Sequence, residues 1–341
     1  MNKQKLPLPV SETKTAQNST RSNQVIGSLM RLLRAREAGI ALVLVVMVVG
    51  LSLSTPYFLT IGNLAILARQ ISLSVIIAIG MTLVILTGGI DLSVGSVVAI
   101  TSVMVGLVMV TLKLPIWVAI IASILVGGVV GLINGILIAK TRVPPFIITL
   151  GMMGLARGIA LVITKGSTIS GLPDSFLTLG QGFVFNVVPI PVIIAIVVAI
   201  TLHIILSRTA FGRRIYLVGS NEEAALLSGI NVDRIKIGVY TICASLAAIE
   251  AVIETSRMST AQPASGAGYE LTAIGAVVIG GASMLGGEGT VLGTVLGAIL
   301  LGLISNGLIL LGVSAYWQQV FSGAIIIMAV MLDTWRRSQK K

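Results

Sequence analysis

Few residues in this chain can do chemistry, and three carboxylates stand out because they interrupt apolar sequence. Asp91 lies within TGGIDLSVGS (87–96), and Glu250 and Glu254 lie four residues apart in a long apolar stretch. Arg257 follows Glu254 by three residues, so these last three side chains share one face if the stretch is helical. Carboxylates in apolar surroundings are costly and usually functional.

The residues leave more than one role open for these carboxylates. Glu250 and Glu254 could pair with Arg257 in a structural network, line a solute path near its outer mouth, or carry protons in an ion-coupled carrier. The two glycines before Asp91 predict a break in the helix. There, Asp91 or Ser93 could cap the next helix, or the break could line a water-filled conduit with Asp91 facing water.

Other kinds of chemistry are disfavoured by the residue inventory. The chain has one cysteine, Cys243, and one histidine, His203. It therefore offers no nucleophile–base pair and no metal cluster, and an intramembrane enzyme is not expected. The glycine-rich segment GGASMLGGEG (280–289) lacks the Gly-Lys-Ser/Thr ending of a phosphate-binding loop, and no Walker A sequence occurs elsewhere. If the protein uses ATP, another chain must bind it.

The elements that position these residues are predicted to be membrane helices. The chain is 55% hydrophobic and 10% charged, and its mean hydropathy is +1.04, which excludes a soluble fold of this length. A helix needs about 20 apolar residues to cross the hydrocarbon core. The sequence accordingly predicts an all-α polytopic protein of about ten spans, at 38–55, 70–87, 93–112, 115–139, 145–164, 187–206, 237–256, 271–285, 289–311 and 317–333.

The distribution of basic residues predicts which ends face the cytoplasm. Ten spans place both termini on one side. If that side is inside, the inner segments hold 18 of the 23 Lys and Arg residues, as the positive-inside rule requires. The net charge of +11 therefore reflects membrane topology and does not indicate nucleic-acid binding.

The same patterns divide the chain into three parts. Residues 1–36 are predicted to be a polar, disordered cytoplasmic tail, residues 37–335 a transmembrane domain, and residues 336–341 a basic cytoplasmic tail. Within the transmembrane domain, residues 208–236 form a polar cytoplasmic segment, here called the island. Gly289, Gly293 and Gly297 recur every four residues and predict close helix packing.

The island contains a short helix with clear end signals. Asn221 is a plausible N-cap, Glu222 and Glu223 suit the first turn and its dipole, and Gly229 allows a left-handed end. The helix is not expected to lie on the lipid surface, because its two acidic side chains would face an anionic leaflet. It is better suited to binding in a groove of another protein. The helix and its caps comprise Asn221, Glu222, Glu223, Ala224, Ala225, Leu226, Leu227, Ser228 and Gly229.

Several motifs in a fixed order resemble one family. They are TGGIDLSVGSVVA (87–99), GLINGILIAKTRVPPFIITLG (131–151), FGRRIYLVGSNEEAALLSGINVDRIK (211–236), STAQPASGAGYEL (259–271), AVVIGGASMLGGEGTVLG (276–293) and GVSAYWQQV (312–320). On these motifs the chain resembles the inner-membrane permeases of bacterial ABC sugar importers, the ribose, xylose, galactoside and autoinducer-2 group.

The resemblance implies a fold, partners and a mechanism. It implies ten helices per subunit in the ABC importer permease fold, both ends cytoplasmic, and a second permease subunit, either identical or a related paralogue. It also implies a cytoplasmic ABC ATPase with a Walker A motif, which holds ATP and Mg, and a periplasmic sugar-binding protein. Asn221–Gly229 matches the family's coupling helix, which docks in a groove of the ATPase.

The function expected from these observations is that of a transport subunit without enzymatic activity or a cofactor of its own. It would form the path for a pentose such as ribose, or a related monosaccharide, in the inner membrane. Glu250 and Glu254 depart from the Leu-Ala-Gly sequence of many relatives, and they keep an ion-coupled secondary carrier open as the alternative.

Overall fold

The protein is helical throughout its core, as a computed structural model shows. The structure describes residues 36–141, 143–314, 316–321, 323–324, 327–328 and 331. The predicted tails at 1–36 and 336–341, and Arg142, lie outside these residues except for Arg36. The helices are α1 Arg36–Ser54, α2 Ile61–Leu86, α3 Val94–Gly106, α4 Ile116–Thr141, α5 Pro145–Thr164, α6 Asp174–Gln181, α7 Ile190–Arg208, α8 Ala210–Ser220, α9 Glu222–Leu227, α10 Val232–Met258, α11 Tyr269–Ile279 and α12 Val291–Leu310.

Three smaller elements complete the described fold. A π-helical turn, Leu107–Thr111, continues α3, and the two-residue strands β1 (Phe183–Val184) and β2 (Val188–Pro189) pair antiparallel between α6 and α7. Residues 316–321 are helical too, but the predicted span 317–333 lies partly outside the described residues. The apolar pattern of the sequence does not predict α6, α8 or the hairpin, because short polar elements lack the long apolar run by which a span is recognised.

The described helices fit a membrane-spanning protein. Seven of them are long and apolar enough to cross a membrane, and Ala38–Ser54 and Tyr269–Ile279 are shorter apolar helices. The prediction that the second span begins near residue 70 was wrong, because α2 begins at Ile61. Thr60 caps it, since its side chain accepts from the amide of Asn63.

The core is built around α10, which packs along α4 and also against α2 and α3. Gly127, Gly131 and Gly135 make the contact with α4 possible. A β-carbon at these positions would meet the backbone of Ala244, Tyr240 and Ile237 respectively. Glycines four residues apart let two helix backbones approach closely, so this stripe fixes the distance between α4 and α10.

The predicted stripe of Gly289, Gly293 and Gly297 lies against α11 and the turn after it. A β-carbon on Gly293 would meet the carbonyl of Gly280, and one on Gly297 would meet the carbonyl of Ala276. Gly289 has a φ of 154° and lies beside Ala282. The short helix α11 is therefore held against α12 through backbone contacts.

Burial separates the inner helices from the outer ones. Of the residues in the most apolar 18-residue stretch of each helix, 78% are buried in α3 with its π-helical turn and 67% in α10. The corresponding shares in α4, α5 and α7 are only 28%, 17% and 22%. The exposed faces of the outer helices carry large apolar side chains such as Leu125, Leu155 and Ile196. An apolar exposed face suits lipid or another membrane subunit.

Candidate functional site

The island folds into two short helices at one end of the bundle. Thr209 caps α8, since its side chain accepts from the amide of Gly212, and Asn221 both ends α8 and caps α9 by accepting from the amide of Ala224 at 2.9 Å. Gly229 follows α9 with a φ of 77°. The capping pattern read from Asn221 and Gly229 is therefore the one that the structure adopts.

The helix α9 presents an apolar tip to the surroundings. Ala225 is buried, but Leu226 and Leu227 are 62% and 88% exposed. Glu222 and Glu223 lie in the first turn, exposed beside these leucines. Two adjacent exposed leucines on a helix of six residues form a small apolar surface of the kind that a groove in another protein would cover.

The island is braced against both glycine-rich breaks, here called the first break (residues 87–93) and the second break (residues 280–290). Gly219 on α8 lies so close to these segments that a β-carbon added to it would meet the carbonyl of Leu86, at the end of α2, and the amide of Gly287. The amide of Gly287 in turn donates to the carbonyl of Leu86 at 3.0 Å. Residues from three distant parts of the sequence thus touch through their backbones.

One side chain strengthens this contact. The Tyr216 hydroxyl on α8 donates to the carbonyl of Gly289 at 2.8 Å. Burial raises the pKa of the Tyr216 phenol, so the hydroxyl remains protonated and able to donate at neutral pH. The island is therefore attached to the second break by a side-chain hydrogen bond and packed against Leu86, at the end of α2, beside the first break.

Two ion pairs connect the same end to the long helices. Lys236 on α10 binds Glu222 of α9 at 2.7 Å, with side-chain exposures of 16% and 56%. Lys140 at the end of α4 binds Asp233 at 2.6 Å, and both side chains are largely exposed. A cavity of about 130 Å³ lies between the first pair, the first break and Tyr240.

The first break is closed around Asp91 in this structure. Asp91 Oδ1 accepts from the Ser93 amide at 2.8 Å and from the Ser93 hydroxyl at 2.6 Å, and Asn134 Nδ2 approaches the same hydroxyl at 3.0 Å. All three residues are fully buried. In this conformation Asp91 and Ser93 therefore line no open space. The alternative in which Asp91 faces water is not the one adopted here, and the role of the two residues in the pathway stays a prediction.

Glu250 and Glu254 are buried on α10 towards the end farthest from the island. Glu254 Oε1 accepts from the hydroxyl of Tyr269 at 2.5 Å. Within the described residues, neither Glu250 oxygen has a hydrogen-bond partner, and neither does Arg257 Nε. Glu254 is thus hydrogen-bonded to the first residue of α11, a contact that sequence spacing could not indicate, and the three roles left open for the two glutamates stay predictions.

A polar pocket of about 190 Å³ opens beside this pair. Part of α2, the end of α10, the start of α11 and part of α12 form its walls. Its lining comprises Gln70, Leu73, Ser74, Ile77, Arg257, Tyr269, Thr272, Ala273, Leu301, Gly302 and Ser305. The mixture of apolar walls with a few polar groups is typical of small-ligand sites.

Arg157 holds the loop that leads into α11, although the sequence analysis gave it no role. Its guanidinium donates to the carbonyls of Pro263 and Ser265 at 2.9 and 2.6 Å and to that of Gly95 at 3.2 Å. Because Tyr269 begins the helix after this loop, Arg157 fixes the position of the tyrosine in the pocket lining. A lone arginine inside an apolar span was the signal that could have indicated this role.

Comparisons with known proteins agree with the membrane fold. Residues 63–330 match the family described as branched-chain amino acid transport system / permease component. The chain is 45% identical to the ribose import permease protein of Escherichia coli over 294 residues, which cover 85% of this chain and 91% of that protein.

Two further relatives extend this likeness. Identity to the ribose import permease protein of Haemophilus influenzae is 42% over 323 residues, or 94% of this chain and 98% of that protein. The D-allose transport system permease protein of Escherichia coli is 39% identical over 282 residues, or 83% of this chain and 86% of that protein. No solved structure matches the chain.

Proposed function

This chain belongs to the family of ABC importer permeases, and from that premise we propose that it forms the membrane path for a small sugar. The chain is a multi-pass transport subunit of the inner membrane and not an enzyme. The near full-length likeness to ribose import permeases, at 42–45% identity, carries this proposal. The substrate is a pentose such as ribose or a related monosaccharide, since D-allose permease is also similar.

The proposed partners follow from the same premise. A separate cytoplasmic ATPase binds ATP and Mg, a periplasmic binding protein delivers the sugar, and a second permease subunit completes the path. The exposed Leu226 and Leu227 of α9 supply the docking surface for the ATPase. Closure of the ATPase pair moves α9 as part of a rigid body. The contacts of Gly219 and Tyr216 carry that movement to the two breaks.

This mechanism requires that both termini and the island lie in the cytoplasm. The positive-inside rule supports this orientation, because 18 of the 23 basic residues then lie in the inner segments. Cys243 is the only cysteine and is buried. In a Cys243→Ala background, Ser228→Cys is then expected to react with a membrane-impermeant maleimide only in inverted vesicles. Reaction of Ser228→Cys in right-side-out vesicles would overturn this orientation.

The experiment that tests the function is sugar uptake by proteoliposomes containing the permease and its ATPase, with the loaded binding protein added outside. The expected result is ribose uptake that requires internal ATP and resists a protonophore. Uptake without any ATPase, collapsing with a protonophore, would establish the ion-coupled carrier instead. A panel of D-ribose, D-xylose, D-galactose and D-allose identifies the substrate.

The double variant Glu222→Arg, Gly229→Pro tests the role of α9 within the same assay. The change places a positive charge against Lys236 and forces a residue of positive φ into proline's negative range. Uptake is expected to be lost while membrane insertion and yield remain. Ser207→Ala on α7, which removes one exposed hydrogen bond to His203 and lies outside the island, is the control and is expected to retain uptake.

A further inference from the structure

We propose that the polar pocket described above is a transient binding site for one neutral sugar molecule on its way through the permease. This inference rests on the proposed function and assigns a position to its substrate. Gln70, Ser74, Arg257 and Ser305 would bind sugar hydroxyls there, and the ring of Tyr269 would form an apolar wall.

The first argument is that the pocket contains polar groups that the fold itself does not use. Within the part of the chain that the structure describes, the half-buried side chains of Gln70, Ser74 and Ser305 make no hydrogen bond. Arg257 Nε, which is buried, has no partner there either. Together they offer amide, hydroxyl and guanidinium groups. These groups can both donate to and accept from the hydroxyls of a polyol.

The second argument is their arrangement on separate elements. Gln70 and Ser74 are four residues apart on α2, and Leu301 and Ser305 are four apart on α12, so each pair shares one helix face. Arg257 approaches from the end of α10. Groups converging from three helices would surround a ligand, whereas unused polar groups on a solvated surface have no reason to converge.

The third argument is size. The pocket's volume of about 190 Å³ is comparable with a cavity of ~150 Å³ that holds benzene in another protein, so it would admit one ring-sized molecule.

The fourth argument assigns a positioning role to Glu254. Its carboxylate accepts the Tyr269 hydroxyl at 2.5 Å, and Arg157 fixes the loop before Tyr269. The tyrosine is therefore held at both ends, by its hydroxyl and by its backbone. A fixed ring presents an apolar face to the pocket without losing conformational freedom when a ligand arrives.

The test is ligand protection in the assembled transporter. Ser74→Cys is introduced in a Cys243→Ala background, and its alkylation by a small water-soluble thiosulfonate is followed with and without D-ribose in the permease–ATPase complex without nucleotide. D-ribose is expected to slow alkylation of Ser74→Cys several-fold, with L-glucose as the competitor control. Ser167→Cys, in the exposed loop after α5 and outside the pocket lining, serves as the matched site and is expected to react equally with and without sugar.

Two results would overturn the proposal. Equal alkylation of Ser74→Cys with and without sugar would show that no sugar occupies the pocket. No alkylation under either condition, while Ser167→Cys reacts, would show that a second permease copy covers it. If wild-type proteoliposomes import ribose in either case, only this site fails; if they import no sugar at all, the proposed function fails first.

A second variant separates blocking from lining. Thr272→Trp places a large side chain in the pocket, whereas Leu271→Trp changes the neighbouring residue, which is 52% exposed and not part of the lining. Uptake is expected to fall at least about tenfold for Thr272→Trp, equivalent to ~1.4 kcal/mol, and to remain for Leu271→Trp. Equal uptake by the two variants would contradict the proposal.

Discussion

The two ends of the molecule are built in opposite ways. At the island, α8 and the two breaks touch backbone to backbone, so that Gly219 has no room for a methyl group. At the polar pocket, four helices leave about 190 Å³ of space, and polar groups such as Gln70 make no hydrogen bond to any residue that the structure describes. The closely packed contact at the island can transmit a movement of α8, because packed elements do not deform continuously. The pocket, which has free volume and unused polar groups, can instead admit a ligand.

The contrast extends to how each end is held together. The island relies on glycines, on caps at Thr209 and Asn221, and on the hydrogen bond of Tyr216. The pocket end relies on side chains that cross between helices, chiefly Arg157 and the Glu254–Tyr269 pair. Substitutions that add atoms should therefore be most harmful at the island, and substitutions that remove groups should be most harmful at the pocket.

The largest effect is expected from Gly219→Ala. Its β-carbon would overlap the carbonyl of Leu86 and the amide of Gly287, and backbone atoms cannot move aside as a flexible side chain would. Overpacking typically costs ~1–3 kcal/mol, so we expect the melting temperature and ATP-driven uptake both to fall, the latter at least about tenfold.

Gly62→Ala is the matched control for that substitution. Nothing lies within 4 Å of a β-carbon at Gly62 on α2, and alanine is favoured over glycine within a helix by roughly 0.5–1 kcal/mol. Unchanged or slightly raised stability is expected. Normal uptake by Gly219→Ala would contradict the view that the contact at the island has no free volume.

The next effect concerns the exposed tip of the island. Leu227 is 88% exposed, so Leu227→Asp should leave the melting temperature of the isolated permease unchanged. If the tip is a central contact for the ATPase, truncating such a residue costs ~2 kcal/mol or more, which lowers affinity roughly 30-fold. The measurement is ATPase binding to the detergent-solubilised permease.

Leu112→Asp serves as the comparison for that variant. Leu112 is also exposed but lies at the far end of α3 from the first break. Its substitution is expected to leave ATPase affinity unchanged. Equal loss of affinity in both variants would show that the effect comes from altered membrane insertion rather than from the tip.

Tyr269 provides a test of the pocket end by removal. Tyr269→Ala deletes both the ring and the hydrogen bond to Glu254, whereas Tyr269→Phe keeps the ring. Loss of a hydrogen bond of ~0.5–1.5 kcal/mol predicts a two- to tenfold decrease in uptake for the Phe variant, and a larger decrease for Ala. The readouts are the uptake rate and the rate of ATP hydrolysis stimulated by the loaded binding protein, and the hydrolysis rate is expected to stay unchanged.

A Phe variant as impaired as the Ala variant would show that the ring itself contributes nothing.

Much of the fold followed from local features of the sequence. Long apolar runs such as 145–164 predicted a helix with the observed bounds, because a span must satisfy all its backbone groups internally. Asn221 and Gly229 predicted the ends of α9, since capping depends on one or two residues. The start of α2 was predicted too late in the sequence. Arg69 interrupts the apolar run, so the predicted span began after it, but the helix itself continues through Arg69 and includes residues 61–68.

What could not be read from the sequence was contact between distant segments. Nothing in the spacing of Glu254 indicates Tyr269, fifteen residues later, because the loop between them sets where α11 begins. Likewise, Gly219, Leu86 and Gly287 meet only once the helices are packed. The residues of a site on one helix were therefore predictable, and the residues of a site between helices were not.

The smallest effect is expected where the island is held by charge alone. Lys236 and Glu222 form an ion pair at 2.7 Å, but the Glu222 side chain is 56% exposed, and exposed pairs contribute ~0–1 kcal/mol. Glu222→Gln should therefore change uptake by less than about fivefold. It should remove only the salt-dependent contribution of this ion pair to the stability of the permease. Asp233→Asn removes the still more exposed pair with Lys140 and should change even less. A loss for Glu222→Gln as large as that for Gly219→Ala would mean that the ion pair, rather than the backbone contacts, couples α9 to the helices.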